Sequence, residues 1–114
     1  MNPLKLPYPP SANRYWRRAG NHIHKSTEAR QYQAAAAMTA RLAGIPKLAG
    51  DVSVTLNVHR PARRGDLDNS IKVVLDAIKG IAFEDDKQVS EIHAYRHEAP
   101  KTDGWVTIQV EATK

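Results

Sequence analysis

The sequence predicts an α+β fold, a single small domain over residues 1–114 with a mixed sheet of about four strands and two main helices. Three patterns carry this prediction. Residues 51–59 alternate polar and apolar side chains as a half-buried strand does, and residues 105–111 repeat that alternation. Between them, residues 68–79 carry apolar side chains at helical spacing. A chain of this length fits one compact domain with a modest core.

The N-terminal segment, residues 1–25, is predicted to be a basic and aromatic arm with a loop. Residues 4–8 alternate as a short edge strand, and Pro7, Pro9 and Pro10 then interrupt regular ladder pairing. Residues 9–22 are expected to form an ordered loop of the kind that often carries binding residues.

The first helix is predicted to begin after the N-cap Ser26 and to run to about Ala43, where Gly44 and Pro46 end it. Small side chains on one face let it pack closely on a sheet or on another helix. The residues that share this face are Tyr32, Ala35, Ala36, Thr39, Ala40 and Ala43.

The second helix is predicted from about Asp68 to Lys79, after a basic turn over residues 60–64. Its expected buried stripe is Ile71, Val74, Leu75 and Ile78. Asp68, Lys72 and Asp76 lie together on an adjacent face. A strand over residues 88–98 follows, so the strand–helix–strand unit is interpreted as a parallel crossover.

The C-terminal part of the chain is predicted to contain an acidic turn, residues 84–86, and a hairpin loop, residues 100–104. The last strand follows the loop. Its inward-facing residues are expected to be Val106, Ile108 and Val110.

Net charge and composition restrict the classes of partner. The formal charge is +5, and residues 1–30 hold six Lys or Arg against one Glu, so the excess lies in the N-terminal third. Basic residues interleaved with aromatics indicate nucleic acid or a solvated basic surface. There is no cysteine, so any metal must be held by Asp, Glu, His or Asn. No apolar run is long enough to span a bilayer, and no signal-peptide core stands at the N-terminus.

The stretch of greatest chemical interest is residues 60–72, where a basic run precedes two carboxylates at i, i+2 spacing. Asp66 and Asp68 offer hard oxygen ligands of the kind that Mg²⁺ or Mn²⁺ prefers. A metal held this way suits phosphate-ester hydrolysis, with Lys72 beside the developing charge. The alternative is structural, because either Asp can cap the helix and Asp68, Lys72 and Asp76 can form exposed i, i+4 pairs.

A third carboxylate is available in the acidic turn, at Asp85 or Asp86. If the two strands that flank the helix pair in parallel, Asp86 starts at the opposite end of the sheet from Asp66. A three-carboxylate cluster then requires the turn to fold back, an antiparallel pairing, or a second protomer that supplies the acid. The sequence leaves these three arrangements open.

The pattern of residues 63–69 with Lys72, Asp76-Ala77-Ile78 and Asp85-Asp86-Lys87-Gln88-Val89 resembles the signature of the RusA family of Holliday junction resolvases. The opening Pro9-Pro10-Ser11-Ala12-Asn13-Arg14-Tyr15-Trp16 is similar to that family's N-terminal segment. The resemblance implies a homodimeric, Mg²⁺-dependent endodeoxyribonuclease that resolves four-way DNA junctions by paired symmetric nicks during recombination and repair. A two-fold protein suits two equivalent cuts.

The resemblance also implies roles for individual residues. Asp66, Asp68 and Asp86 would be catalytic metal ligands, with Asp85 as the alternative to Asp86, and Lys72 would be the catalytic lysine. Two positions differ from the family pattern: Ser70 stands where an apolar residue is expected, and the segment before the acidic turn is about one residue short. Asp86 is preferred because it matches from the side of Gln88 and Val89.

The basic and aromatic residues complete the predicted site. The expected DNA-binding residues are Arg14, Arg17, Arg18, Lys25, Arg60, Arg63 and Arg64. Tyr15 and Trp16 are candidates for base stacking, and at least one of them is expected to cover the core instead.

The competing functional hypotheses are a non-catalytic, structure-selective nucleic-acid-binding protein and a metal-dependent nuclease for other branched DNA or RNA. A cytoplasmic, nucleoid-associated location is expected for the resolvase.

Overall fold

The computed structural model describes residues 3–11, 16–20, 22–62 and 67–113, without the side chains of residues 16–19 and 22. The described chain forms two helices, a four-stranded mixed sheet and a separate two-stranded hairpin, which confirms the predicted α+β class. The elements in chain order are β1 (Leu4–Pro7), β2 (Trp16–Ala19), β3 (His22–Lys25), α1 (Thr27–Leu42), β4 (Val52–Arg60), α2 (Leu67–Ile78), a 3₁₀ helix (Asp86–Gln88), β5 (Val89–Glu98) and β6 (Trp105–Ala112).

The main sheet has the strand order β1-β6-β4-β5. β4 pairs with β5 in parallel, from Val52 opposite Val89 to Arg60 opposite Glu98. The other two pairs, β4 with β6 and β1 with β6, are antiparallel. The predicted parallel crossover through α2 is therefore confirmed, and β5 is an edge strand of the described sheet. The predicted hairpin at residues 100–104 is wrong, because β4 lies between β5 and β6 and pairs with both.

The hydrophobic core lies between the sheet and the two helices. The inward-facing residues of β4 and β6 alternate as predicted, and all of them are buried. They are Val52, Val54, Leu56, Val58, Val106, Ile108 and Val110. Phe83 is also fully buried and fills the corner after α2, where its carbonyl accepts a hydrogen bond from Gly80 N–H. This packing holds β4 and α2, the two elements that flank residues 61–66 in the chain.

Helix α1 begins and ends as predicted. The Ser26 hydroxyl accepts a hydrogen bond from Ala29 N–H at 3.1 Å and so satisfies one of the free N–H groups of the first turn. Of the predicted face, Tyr32, Ala36 and Ala40 are buried and Thr39 is half-buried, but Ala35 and Ala43 are exposed and that part of the prediction is wrong. The buried stripe is narrower than the predicted face and extends to Ala29 in the first turn.

Helix α2 buries a different set of residues from the predicted stripe. Val74 and Ile78 are buried as expected, but Ile71 and Leu75 are only half-buried. The buried set is Ser70, Val73, Val74, Ala77 and Ile78. The buried stripe is therefore shifted around the helix by about one residue from the predicted one, and Ser70, at the position where an apolar residue was expected, is buried at 5% exposure.

The predicted loop over residues 9–22 is wrong for its second half. β2 and β3 form an antiparallel hairpin in which Trp16 lies opposite Lys25 and Ala19 opposite His22. Gly20 has a φ of 62°, a left-handed conformation that glycine adopts without steric cost. The Gly20-Asn21 dipeptide between two short strands is a hairpin signal that the sequence interpretation missed.

Candidate functional site

The first turn of α2 presents two of the predicted site residues. Asp68 is the second residue of the helix, and Lys72 lies one turn later on the same face. Both side chains are exposed, and within the described residues neither makes a hydrogen bond or an ion pair. Asp66 lies outside the described residues, two positions before Asp68. Asp68 and Lys72 are thus free to contact a ligand on this side of the helix.

Asp76, one turn beyond Lys72, has a structural role. Its carboxylate accepts a hydrogen bond from Gln33 Nε2 at 2.7 Å and pairs with Lys25 Nζ at 2.9 Å. These contacts fasten α2 to α1 and to the end of β3. The predicted DNA-binding residue Lys25 therefore lies beside the face that carries Asp68 and Lys72, although its ammonium group is already paired.

The two candidate ligands in the acidic turn, Asp85 and Asp86, have different surroundings. Asp85 is the N-cap of the 3₁₀ helix, and its carboxylate accepts a hydrogen bond from Lys87 N–H at 3.0 Å. Asp86 is exposed, and its carboxylate lies 3.5 Å from Lys79 Nζ. Because capping occupies Asp85 and an exposed ion pair is weak, the carboxylate of Asp86 is the more available of the two.

Within one chain, Asp68 and Asp86 lie at opposite ends of α2. The helix rises about 1.5 Å per residue, so Lys79, eleven positions after Asp68, lies about 16 Å further along the axis, and Asp86 lies beside Lys79. Two ligands of one Mg²⁺ ion each lie about 2 Å from it, so they are within about 4 Å of each other. In the described part of the chain, no three His, Cys, Asp or Glu side chains are grouped to hold a metal ion. The structure therefore brings Asp68 and Lys72 together but not Asp86.

Arg60 is already engaged at the end of β4. Its guanidinium binds the Glu98 carboxylate through Nε at 3.1 Å and through Nη2 at 2.5 Å, and its side chain is only 13% exposed. This bidentate pair joins the ends of β4 and β5. Of the other predicted DNA contacts, Arg14, Tyr15, Arg63 and Arg64 lie outside the described residues, and the side chains of Trp16, Arg17 and Arg18 do too.

Stacked rings also brace this end of the sheet. The ring of His59 lies 4.2 Å from that of Trp105 and 4.6 Å from that of His97, nearly parallel to both. Lys5 Nζ lies 5.1 Å from the centre of the Trp105 ring, a cation–π contact. Burial lowers the pKa of His59, and the nearby His97 and Lys5 lower it further. These contacts join Lys5, Trp105, His59 and His97, one residue on each of the four strands. They stiffen the end of β4 that leads into residues 61–66.

Comparison with known proteins finds sequence similarity over nearly the whole chain. A sequence profile of the family described as Endodeoxyribonuclease RusA matches residues 7–111. The chain belongs to the RusA family. The crossover junction endodeoxyribonuclease of Enterobacteria phage HK97 is 37% identical over 95 residues, which cover 80% of this chain and 78% of the phage protein. Its Escherichia coli K12 counterpart is 38% identical over 89 residues, 75% of this chain and 74% of that protein.

In this RusA-family chain, Gln88 holds the acidic turn in place. Its Oε1 accepts hydrogen bonds from the N–H groups of Glu84 and Asp85, at 2.8 and 2.9 Å. Its Nε2 donates to the carbonyls of Leu48 and Gly50, at 2.9 and 2.8 Å. One amide thus joins the turn that carries Asp86 to the segment before β4. Sequence reasoning gave Gln88 no role, although an Asp with a Gln three residues later is the spacing of a capping box.

The described part of this RusA-family chain contains no helix with the length and apolar character needed to cross a membrane.

Proposed function

We propose that the protein is a crossover junction endodeoxyribonuclease that resolves four-way DNA junctions by paired symmetric nicks. The observation that carries this proposal is the RusA-family match over residues 7–111. The names of the relatives give the activity, and they align with more than two thirds of this chain. The basic N-terminal third supplies the positive charge that a phosphate backbone requires. The corresponding location is the cytoplasm, in association with the nucleoid.

The available ligands fit a hard divalent cation, Mg²⁺ or in its place Mn²⁺. The exposed, uncommitted carboxylate of Asp68 supports this choice, as do the carboxylates that the sequence provides at Asp66 and Asp86. When bound, such an ion polarises a phosphoryl oxygen and lowers the pKa of a water molecule that it coordinates. We assign the three Asp residues as its ligands and Asp85 as the cap that orients the turn.

Lys72 is proposed to stabilise the negative charge that develops on the phosphate. Its ammonium group is exposed on the same helix face as the Asp68 carboxylate, one turn away, and no carboxylate of the described chain neutralises it. The basic residues at positions 14, 17, 18, 25, 63 and 64 are proposed to hold the DNA backbone, and Tyr15 or Trp16 to stack on an unpaired base. Arg60 is proposed to contribute mainly through its pair with Glu98.

We further propose that the enzyme is a homodimer whose sites are shared between subunits. Parallel pairing of β4 with β5 puts Asp86 at the wrong end of α2 for a site with Asp68 of the same chain. A second protomer, related by a two-fold axis, supplies the third carboxylate without any refolding of the turn. Two identical shared sites then match the two equivalent strands of a four-way junction.

The first experiment measures cleavage of a four-way junction, a fork, a linear duplex and single-stranded RNA, with Mg²⁺ and with a chelator. We expect paired nicks in the junction only, and none without metal. Asp68→Asn should lower cleavage by about 10²-fold or more while junction binding persists. Asp51→Asn is the matched control, because Asp51 is exposed and its side chain makes no hydrogen bond within the described chain.

The outcomes separate the competing functions. Salt-dependent junction binding without nicking in Mg²⁺ or Mn²⁺ would mean a non-catalytic binding protein. Preferential cutting of the fork or of RNA would mean a nuclease with another substrate. Loss of folding in Asp68→Asn, seen by circular dichroism, would mean that the carboxylate is structural.

A second experiment tests the shared site by mixing Asp68→Asn with Asp86→Asn protein. In a heterodimer with shared sites, one site carries both changes and the other site carries neither. Random exchange should therefore restore roughly a quarter of the wild-type sites, visible as single nicks. If each chain holds its own complete site, the mixture stays as inactive as either variant alone.

A further inference from the structure

We propose that the side of the Trp105 ring facing β1 is a stacking site for an unpaired base of a DNA strand, with the Lys5 ammonium group binding the adjoining phosphate. The inference rests on the proposed function for its ligand, because it adds a contact with the DNA substrate. The site lies on the face of the main sheet opposite the two helices, whereas Asp68 and Lys72 stand on a helix.

The face of the main sheet opposite the helices is polar and accessible, and its charge changes along the strands. The side chains of β4 on this face are all half-buried, and they are Ser53, Thr55, Asn57 and His59. At the start of β4, Glu91 and Glu111 lie on either side of Ser53. At its end, imidazole and indole rings take their place, and Lys5 lies nearby. Such a face has little apolar area for a protein partner, and its second end suits a planar, anionic ligand.

Three rings form a stack across this end of the sheet. The ring of Trp105 lies 4.2 Å from that of His59, which lies 4.6 Å from that of His97, and the interplanar angles are 10° and 16°. Strands are spaced by about 4.8 Å, so rings this close and this parallel stand upright, one on each strand. Burial lowers the pKa of His59, and the nearby His97 and Lys5 lower it further, so its ring is uncharged at neutral pH. The stack therefore has the orientation and spacing that a further aromatic ring needs.

The stack ends on the β1 side at a ring face that a base can reach. β1 places Pro7 opposite Trp105, and a proline ring is too short to cover an upright indole. Lys5 Nζ lies 5.1 Å from the centre of the Trp105 ring. Because Lys5 is exposed and its side chain is flexible, the ammonium group can move to a phosphate while a base occupies the space over Pro7. Stacking on an aromatic ring with a cation beside it is a common mode of binding single strands.

The stacking site lies at the end of the sheet from which residues 61–66 lead to Asp68. Gly104, the residue before Trp105, packs so closely on Pro61 that a Cβ on Gly104 would lie 2.6 Å from Pro61 Cδ. β6 lies between β4 and β1, so two strand spacings, about 10 Å, separate the end of β4 from the start of the space over Pro7. A DNA strand that reaches Asp68 along this end of the sheet passes close to the Trp105 ring.

The fluorescence of Trp105 reports the contact directly. The chain has two tryptophans, so Trp16→Phe protein retains Trp105 alone. This protein is titrated, with a chelator present to prevent cleavage, with single-stranded oligothymidine, with a blunt duplex of the same length and with thymidine monophosphate. The single strand should quench Trp105 at the lowest concentration, because duplex bases are stacked on one another and the mononucleotide has one phosphate only. Equal quenching by the duplex or the mononucleotide, or none by the single strand, would overturn the proposal.

Substitutions provide an independent test, read by the fluorescence anisotropy of a labelled single strand. Trp105→Leu should weaken binding about 10-fold or more, with circular dichroism as the check on folding. Lys5→Gln changes an exposed side chain, so it should fold normally, weaken binding and lower the salt slope by about 0.7. Arg41→Gln is the matched control, because it removes one charge from an exposed residue of α1, on the other side of the sheet, and should keep the wild-type slope. Wild-type affinity and slope in Lys5→Gln would overturn the proposal.

These results can be told apart from failure of the proposed function. Quenching of Trp105 by the single strand, without junction cleavage by the wild type in Mg²⁺, would retain the stacking site and reject the activity. Junction cleavage by the wild type, without quenching of Trp105 and with unchanged binding by Lys5→Gln, would retain the activity and reject the stacking site.

Discussion

Replacement of Gln88 by leucine should loosen the acidic turn and destabilise the whole domain. The substitution keeps the approximate size of the side chain and removes both polar atoms, which together make four hydrogen bonds. Each such bond contributes about 0.5–1.5 kcal/mol net to stability. Glu84, Asp85 and Gly50 are exposed and can turn to water, whereas Leu48 is half-buried. We therefore expect a loss of about 2–3 kcal/mol, less than the sum of four full bonds.

The assay is urea unfolding at neutral pH, with thermal unfolding in parallel. For a domain of this size, 1 kcal/mol corresponds to about 4 °C, so Tm should fall by roughly 10 °C. Gln31→Leu is the matched control, because Gln31 is exposed on α1 and its side chain makes no hydrogen bond within the described residues. The control should change stability by less than about 0.5 kcal/mol.

The same variant tests whether Gln88 positions Asp86. If it does, junction cleavage at a temperature where Gln88→Leu is fully folded should fall by about 10-fold or more, while Gln31→Leu cleaves normally. Gln88→Glu retains acceptor oxygens for the Glu84 and Asp85 N–H groups and should recover part of the activity. A change in stability below about 0.5 kcal/mol would refute the four-bond argument, and full activity in the folded Leu variant would refute the positioning role.

Two further substitutions probe the end of β4 that leads into residues 61–66. Gly104→Ala would place a Cβ 2.6 Å from Pro61 Cδ and 2.9 Å from the His59 carbonyl oxygen. Gly50→Ala is the matched control: the φ of Gly50 is 75° and that of Gly104 is 76°, but a Cβ at Gly50 meets nothing within 4 Å. Urea unfolding should show Gly104→Ala to be less stable than Gly50→Ala by about 1–2 kcal/mol, and equal losses would contradict the steric argument. The lowered pKa of His59 means that the unfolded chain binds a proton more readily than the folded chain, so stability should fall as the pH drops below 6.5, the ordinary value. His59→Gln should reduce this pH dependence in urea midpoints measured between about pH 7.5 and pH 5, and an unchanged slope would exclude His59 as its source.

The sheet and the helices could be predicted from the sequence wherever the spacing of apolar side chains followed one period, that of a strand or that of a helix. The alternation in β4 and β6 predicted their buried residues, and Ser26 with Gly44 predicted the limits of α1. Prediction failed where tertiary packing decided the outcome. Periodicity alone placed Ile71 and Leu75 in the buried stripe of α2, but the helix is turned so that Ser70, Val73 and Ala77 are buried beside Val74 and Ile78. The β2–β3 hairpin was missed because its two four-residue strands lack the apolar alternation that revealed β1.

The residues of the candidate site were easier to predict from the sequence than their arrangement in space. The spacing of Asp68 and Lys72 placed both on one exposed face of a helix, and the structure places them there. Asp85 and Asp86 are adjacent and chemically alike, so only the capping hydrogen bond to Lys87 N–H distinguishes them. The role of Gln88 depends on the carbonyls of Leu48 and Gly50, which are about forty residues away in the chain and which no local pattern indicates.

The separation of Asp68 from Asp86 has a kinetic consequence under the proposed function. A chain whose ligands lie at opposite ends of α2 cannot assemble a metal site alone, so cleavage requires the dimer. Below the dissociation constant of the dimer, the concentration of active sites varies with the square of the protein concentration; above it, the dependence is linear. Accidental encounter of a single chain with duplex DNA then produces no nick. Paired cutting follows from the same arrangement, because the assembly that completes one site completes the other.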